Sequence, residues 1–203
     1  MPRAKLRTPE LRDRVLRAAM TMLAEEGVTA FTARKVAQGA GTSVPAVYEL
    51  FGDKAGLVRE IFFEGFRRLR RRLEEDAPTD DPRADLVRVV QVFRAFVLEN
   101  PVLAEVMFAR PFAEFDPGAE DLRSAAAVRG FFVGGVERCV AAGRMSGDPT
   151  DAAHVLLALA QGMAAQETAG WLGTSQASAD RRWDLAIRAV IDGFAPGSAD
   201  PSG

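Results

Sequence analysis

The stretch Phe31–Leu57, FTARKVAQGAGTSVPAVYELFGDKAGL, constrains this chain most, because it joins two short helical patterns through a glycine-bearing turn. Thr32 stands where its hydroxyl can take an orphan N–H at the start of the first helix. Val36, Ala37 and Ala40 then share one face at helical spacing, with Arg34, Lys35 and Gln38 turned outward. Gly41 sits where the chain must leave that helix, a place that favours positive φ and suits glycine. Ser43 caps the second helix, whose Val47, Leu50 and Phe51 point to a core. Two such helices with a three- or four-residue turn read as a helix-turn-helix. Val44, Pro45, Ala46 and Tyr48, entered through Thr42 and Ser43, form the outward face of the second helix. That face is lightly charged. It suits a helix laid in the major groove, where thymine methyls offer apolar contacts and hydroxyls reach base edges or phosphates.

The charge distribution agrees with a nucleic-acid partner at one end only. Met1–Arg72 holds fifteen Lys or Arg against eight Asp or Glu, a balance of +7, whereas Leu73–Gly203 holds eleven against twenty, a balance of −9. A basic head on an acidic body is what a DNA-binding module attached to a non-DNA-binding domain would carry. Arg3, Lys5 and Arg7 lie in a short tail before the first helix, where they either reach phosphates or the minor groove or serve only to solubilise the chain end. Other classes are disfavoured. One cysteine (Cys139) leaves no internal disulfide, and one histidine (His154) leaves no metal cluster, so neither metal nor cofactor is expected. Glu99, Glu105, Glu114 and Glu167 have no nucleophile, base or phosphate loop beside them, so no catalytic residue is expected. No run approaches the roughly 18 apolar residues of a membrane span, and no apolar secretion segment opens the chain. A cytoplasmic protein with no membrane partner is the expectation.

The run T-A-R-K-V-A-x-x-A-G-T-S-x-x-A-V-Y-x-x-F-G-x-K-x-x-L resembles the N-terminal signature of the tetracycline-repressor (TetR) family of transcriptional regulators. The matching positions are Thr32, Val36, Ala37, Ala40, Gly41, Ser43, Val47, Tyr48, Phe51, Lys54 and Leu57. The resemblance implies that Tyr48 and Lys54 touch operator phosphates together with Thr32. Ser43, Val44, Pro45 and Ala46 would then face base edges, and Arg34 and Thr42 complete the expected DNA-facing set. Val44-Pro45 departs from relatives that carry a charged or polar residue followed by glycine there. Because proline disfavours the helical region for the residue before it, the choice among Val44, Pro45 and Ala46 as base contacts stays open.

The rest of the chain reads as helices. Thr8-Pro9 starts the first, with Val15, Leu16, Ala19, Met22 and Leu23 as its stripe and Gly27 as its end. A longer helix runs from Asp53 towards Glu75, and its Arg67–Arg72 run reads as a solvated face. Asp81-Pro82, Asn100-Pro101 and Asp148-Pro149 each place a capping residue before proline, and Asp116-Pro117 offers a fourth. The implied helices are Pro82–Glu99, Pro101–Ala109, Ala119–Ala142, Pro149–Trp171 and Ser178–Phe194. The expected fold is all-α, about nine helices, with a helix-turn-helix head over residues 1–52 and a helical-bundle body over 53–203. Phe93–Phe108 and Gly147–Leu172 are similar to one C-terminal domain type of TetR regulators, the WHG type.

Family resemblance implies an effector pocket in the body, where apolar side chains and a few polar groups would line it. The expected lining is Phe62, Phe66, Phe93, Phe96, Met107 and Phe108, with Phe112, Phe131, Phe132, Gln161 and Met163, although core packing is the better account of any single phenylalanine. Gly130, Gly134 and Gly135 imply either a close helix approach or room for a ligand. The last two helices are expected to pair with their mates in a homodimer, through Leu156, Leu159 and Met163 on one and Trp183, Ile187, Val190 and Ile191 on the other. The reading at this stage is a repressor that binds a palindromic operator as a homodimer and is released by a largely apolar small molecule. A regulator governed instead by a protein partner or by abundance is the alternative. A bundle cavity of roughly 300 Å³ or more would favour the effector.

Overall fold

The computed structural model describes residues 8–109 and 111–197, apart from the side chain of residue 120. Arg3, Lys5 and Arg7 lie outside the described residues. Those described form nine α-helices and one 3-10 turn, with no strand among them. Two compact units share them: residues up to Arg68 with Asn100–Ser124, and Leu69–Glu99 with the chain from Ala125 onward. The units follow packing and not chain order, with Leu57, Val58, Ile61 and Phe62 buried in the first.

In the first unit, Thr8 accepts from the N–H of Leu11 (3.2 Å) and Pro9 opens α1, Pro9–Glu26. Pro9 lacks only an N–H that would be orphaned there anyway. The buried stripe is Val15, Leu16, Ala19, Met22 and Leu23, and Gly27 ends the helix at φ 76°. A 3-10 turn, Val28–Ala30, leads to α2 (Ala33–Gly39), α3 (Val44–Phe51) and α4 (Lys54–Glu74). Asp53 caps α4 by accepting from the N–H of Gly56 at 2.7 Å. α1 packs on α2 and on α6, Pro101–Phe108. Rings fill this interior. Phe62 meets Phe66 (4.8 Å) and Phe115 (5.4 Å), Phe66 meets Phe108 (5.8 Å), and Phe31 meets Phe112 (5.3 Å). A Cβ on Gly65 would come within 2.5 Å of Met107 Sδ, so a bare backbone is what lets α4 and α6 approach.

In the second unit, α5 (Pro82–Glu99), the body of α7 (Ala119–Ala141), α8 (Pro149–Thr168) and α9 (Gln176–Gly193) carry the core. Asp81 accepts from the N–H groups of Arg83 and Ala84 (both 3.1 Å), and Asp148 from those of Thr150 (2.8 Å) and Asp151 (3.0 Å). The other two Asx-Pro pairs behave differently. Asn100 makes no side-chain cap bond, and α7 starts at Ala119 with Asp121 accepting from the N–H of Gly118 at 2.8 Å. α8 stops at Thr168, short of the expected Trp171, because Gly170 turns at φ 75°. α9 starts at Gln176, earlier than expected, through a reciprocal cap between Ser175 and Ser178. Cys139 is fully buried, and burial pushes its thiol pKa up.

α8 packs against α5 and α9 around a charged knot. Arg94 donates to both oxygens of Glu167 (2.8 and 2.6 Å) and to Asp180 (2.7 Å), while the indole N–H of Trp183 donates to Glu167 at 2.7 Å. Arg94 holds the Glu167 carboxyl below its ordinary range, and it does the same to Asp180. The arginine run of α4 is the solvated face expected of it: Arg67 and Arg68 pair with Glu64, Arg70 with Glu74, and Arg72 with Glu99.

Candidate nucleic-acid interface

Thr32 caps α2, its side chain accepting from the N–H of Lys35 at 3.3 Å. Gly41 leaves the helix at φ 61°, and the N–H of Thr42 returns to the carbonyl of Ala37 at 2.9 Å. Ser43 then caps α3 by accepting from the N–H of Ala46 at 3.3 Å. The turn is therefore closed by backbone and hydroxyl groups at both ends, which leaves its outer surface to side chains. Proline does not displace the helix. Val44 is the first helical residue and Pro45 the second, a position whose N–H has no intrahelical partner, so the missing donor costs nothing there.

The outward face of α3 is narrower than its sequence implies. Ala46 is 9% exposed and turns inward beside Val47, which corrects its placement on the outer face. Pro45 and Ser43 are exposed, Val44 and Thr42 are half-buried, and Tyr48 is 41% exposed. Thr32 and Arg34 are exposed on α2. The phase of an eight-residue helix is set by what it packs on, and here Val47 and Phe51 draw Ala46 in with them.

Lys54 opens α4 and is paired with a residue from another quarter of the same unit. Its Nζ lies 2.5 Å from Glu114 Oε1 and 5.2 Å from the centre of the Phe112 ring. The Lys54 ammonium lowers the Glu114 pKa. Sequence reasoning considered Glu114 only as a catalytic acid and missed this pairing, since sixty residues separate the partners. It also missed two contacts that pin the head. Arg14 Nε donates to the carbonyl of Ala40 (2.9 Å), fixing the end of α2, and Arg12 bridges Glu60 (2.7 Å) while lying over Phe51.

The expected pocket residues do not form one set. Phe62, Phe66, Met107 and Phe112 are buried and Phe108 half-buried in the first unit, engaged with one another as core. Phe93, Phe96 and Phe132 are buried in the second, Phe93 and Phe132 edge-on at 6.0 Å. Gln161 and Met163 are half-buried on α8. Phe131 instead lines a cleft of about 410 Å³ formed by α5, α7 and the end of α4. The expected dimer residues also divide. Leu156, Trp183, Ile187 and Ile191 are buried within the single chain, while Leu159, Met163 and Val190 are half-buried. The exposed apolar residues here are Val155 on α8, Leu185 (65%) on α9 and Trp171 (78%) between them.

A capped helix-turn-helix with an exposed tyrosine, carried on an otherwise helical chain, is the arrangement of a DNA-binding regulator. Comparison with known proteins gives its family. Residues 86–190 match the tetracycline repressor-like C-terminal domain, and residues 15–61 match the bacterial regulatory proteins of the tetR family. The chain belongs to the TetR family of transcriptional regulators and is not an enzyme. A protein from Rhodococcus sp. RHA1 of unknown function superposes with a TM-score of 0.79 at 26% identity, covering 95% of this chain and 100% of that one. A TetR variant from Acinetobacter baumannii AYE, solved in complex with minocycline, superposes at 0.63 and 20% identity, over 89% and 93%. The nucleoid occlusion factor SlmA of Aliivibrio fischeri is 35% identical over 106 residues, 50% of this chain and 53% of that protein. The chain thus spans about half the length of the curated relatives it matches. Among the described residues no helix is long and apolar enough to cross a membrane.

Proposed function

We propose that this regulator is a repressor that binds a palindromic operator as a homodimer and leaves it when a small molecule enters the body. The observation that carries the reading is the turn itself, with Ser43, Val44, Pro45 and Tyr48 on its outer side and Lys54 one turn beyond. In this reading Tyr48, Lys54 and Thr32 hold phosphates, Arg34 and Thr42 flank them, and Pro45 with Val44 meets the bases. Val155, Leu159, Met163 and Leu185 face a second copy, and the two-fold axis repeats the recognition helix about 34–36 Å away or at a longer multiple of a DNA turn. α4 belongs to both units and acts as the lever. The effector shifts the equilibrium by its differential affinity for the released geometry. The 410 Å³ cleft favours a small molecule over control by abundance alone. Minocycline in the Acinetobacter protein supports the same reading at the level of fold.

The test is a mobility shift on DNA flanking the protein's own gene, with a single half-site as control. A dimer reading requires that the full palindrome be bound far more tightly than one half. Binding of both with equal affinity by a single subunit would reject it.

A further inference from the structure

Three glycines punctuate α7, and they do different things. A Cβ on Gly135 would come within 2.9 Å of Leu86 Cδ1, so bare backbone is what admits α5 there. A Cβ on Gly130 or Gly134 would meet nothing within 4 Å. Glycine weakens a helix interior relative to alanine, and at these two positions no packing is gained in return. What is gained is space. Gly130 and Gly134 line the 410 Å³ cleft of the second unit, within the roughly 300–1,000 Å³ range of small-molecule sites.

The cleft has two chemistries. Leu73, Val89, Val92 and Phe131 supply an apolar wall, and Arg72, Arg88 and Arg138 stand along it. Asp85, buried beneath, accepts from the N–H (2.7 Å) and hydroxyl (2.9 Å) of Thr79 and from Arg138 (2.6 Å), and forms an ion pair with Arg88 at 2.9 Å. A carboxylate has about four lone-pair sites, and three hydrogen bonds with two guanidinium neighbours commit Asp85 to the chain's own groups. Glu74 and Asp76 also line the cleft, and each faces a guanidinium, Arg70 at 2.7 Å and Arg88 at 3.6 Å. A guanidinium carries five N–H donors. Arg88 donates one hydrogen bond to the Ala77 carbonyl, and Arg138 donates two, to Asp85 and to the Thr79 carbonyl. Arg72 is taken by Glu99, so the guanidinium N–H groups left to a ligand on the polar side are those of Arg88 and Arg138, and each carboxylate there already faces an arginine. The groove elsewhere on α1 and α2, about 610 Å³, lacks this division, being walled by Arg14, Arg17, Glu25, Glu26 and Lys35.

We infer that the α5–α7 cleft binds an amphipathic anion, an apolar chain ending in a carboxylate, with the chain over Gly130 and Gly134 and the carboxylate at Arg88 and Arg138. The inference deepens the effector-responsive reading above and rests on it for its regulatory meaning. The full-length protein is titrated by calorimetry with decanoate, decanol and decyltrimethylammonium, each below its micelle-forming concentration. Decanoate is expected to bind, and the alcohol and the ammonium at least tenfold more weakly. Gly134→Leu fills the space and improves the helix, so it should melt no lower than the parent yet bind decanoate at least tenfold more weakly; Gly130→Leu is a second, independent plug. Absence of decanoate binding, equal binding of decanol, or undiminished binding by two folded plug variants would overturn the assignment. A mobility shift on the same samples separates the two levels. If decanoate binds and the DNA complex persists, the cleft stands and its effector role falls. If no DNA is bound at all, the regulator reading falls while calorimetry still decides the cleft.

Discussion

The two units solve the same packing problem with different materials. The first fills its interior with rings, so that Phe31, Phe62, Phe66, Phe108, Phe112 and Phe115 touch one another in pairs. The second ties α5, α8 and α9 through Arg94, Glu167, Asp180 and Trp183, and holds Asp85 under Arg88 and Arg138. Apolar filling is indifferent to pH. Arginine–carboxylate knots depend on ionisation, and the one around Asp85 borders the cleft that Gly130 and Gly134 line. A DNA-reading head is served by a rigid platform, and the effector response proposed above would use an interior with two states.

Substitution should expose that contrast first at its centre. Arg94→Ala leaves Glu167 and the Trp183 indole around an uncompensated charge, at a cost of about 3–5 kcal/mol in urea unfolding. Phe62→Ala is expected to cost a similar amount, about 3–5 kcal/mol, by opening a cavity. The distinction is that only the Arg94 loss should shrink in acid, where Glu167 no longer ionises. Equal pH dependence of the two variants would break the contrast.

Acid itself is the next probe. Arg138 and Thr79 hold the Asp85 carboxyl down at about 2, below its ordinary 3.8, and Glu167 and Asp180 are also lowered. Groups with depressed folded pKa values add stability that is complete above their ordinary range and disappears as pH falls through the folded value. Segment-resolved hydrogen exchange from pH 4 to pH 2 should therefore show α5, α8 and α9 losing protection before the ring-filled core around α4 and α6.

In the head, Lys54→Ala should lower the salt dependence of operator binding by about one unit of slope. Its partner gives the opposite sign. Glu114→Gln frees Lys54 from an exposed ion pair worth roughly 0.2–1 kcal/mol, so DNA affinity should rise about two- to fivefold in a mobility shift. An unchanged affinity would mean that Lys54 does not reach phosphate. The smallest effect separates two neighbouring glycines. Gly134→Ala should stabilise by roughly 0.5–1 kcal/mol, whereas Gly135→Ala should destabilise, because Leu86 has to move aside. Thermal melts of the two variants decide it.

Local chemistry was the legible part of this chain. Thr8, Thr32, Ser43 and Asp148 cap the helices that follow them, since a cap and its N–H partners lie within four residues. The all-helical class and most helix limits were readable for the same reason. What the letters could not carry was the identity of the neighbour across space. A stripe such as Trp183, Ile187 and Ile191 shows that a face is covered, and here the chain's own bundle covers it instead of a second copy. A phenylalanine looks the same in a wall and in a core, so Phe131 and Phe132 were indistinguishable until one faced a cleft and the other did not. Glycine was ambiguous likewise: Gly135 meets Leu86 and Gly134 meets nothing.

The chain holds two tryptophans, and their surroundings are opposites: Trp183 is sealed beside Glu167, and Trp171 lies open between α8 and α9. Their emission should split accordingly, the sealed indole shining at shorter wavelength and resisting iodide quenching, the open one red-shifted and quenchable. Because Trp171 adjoins the face given to a second copy, its colour on dilution would report subunit exchange without any attached dye.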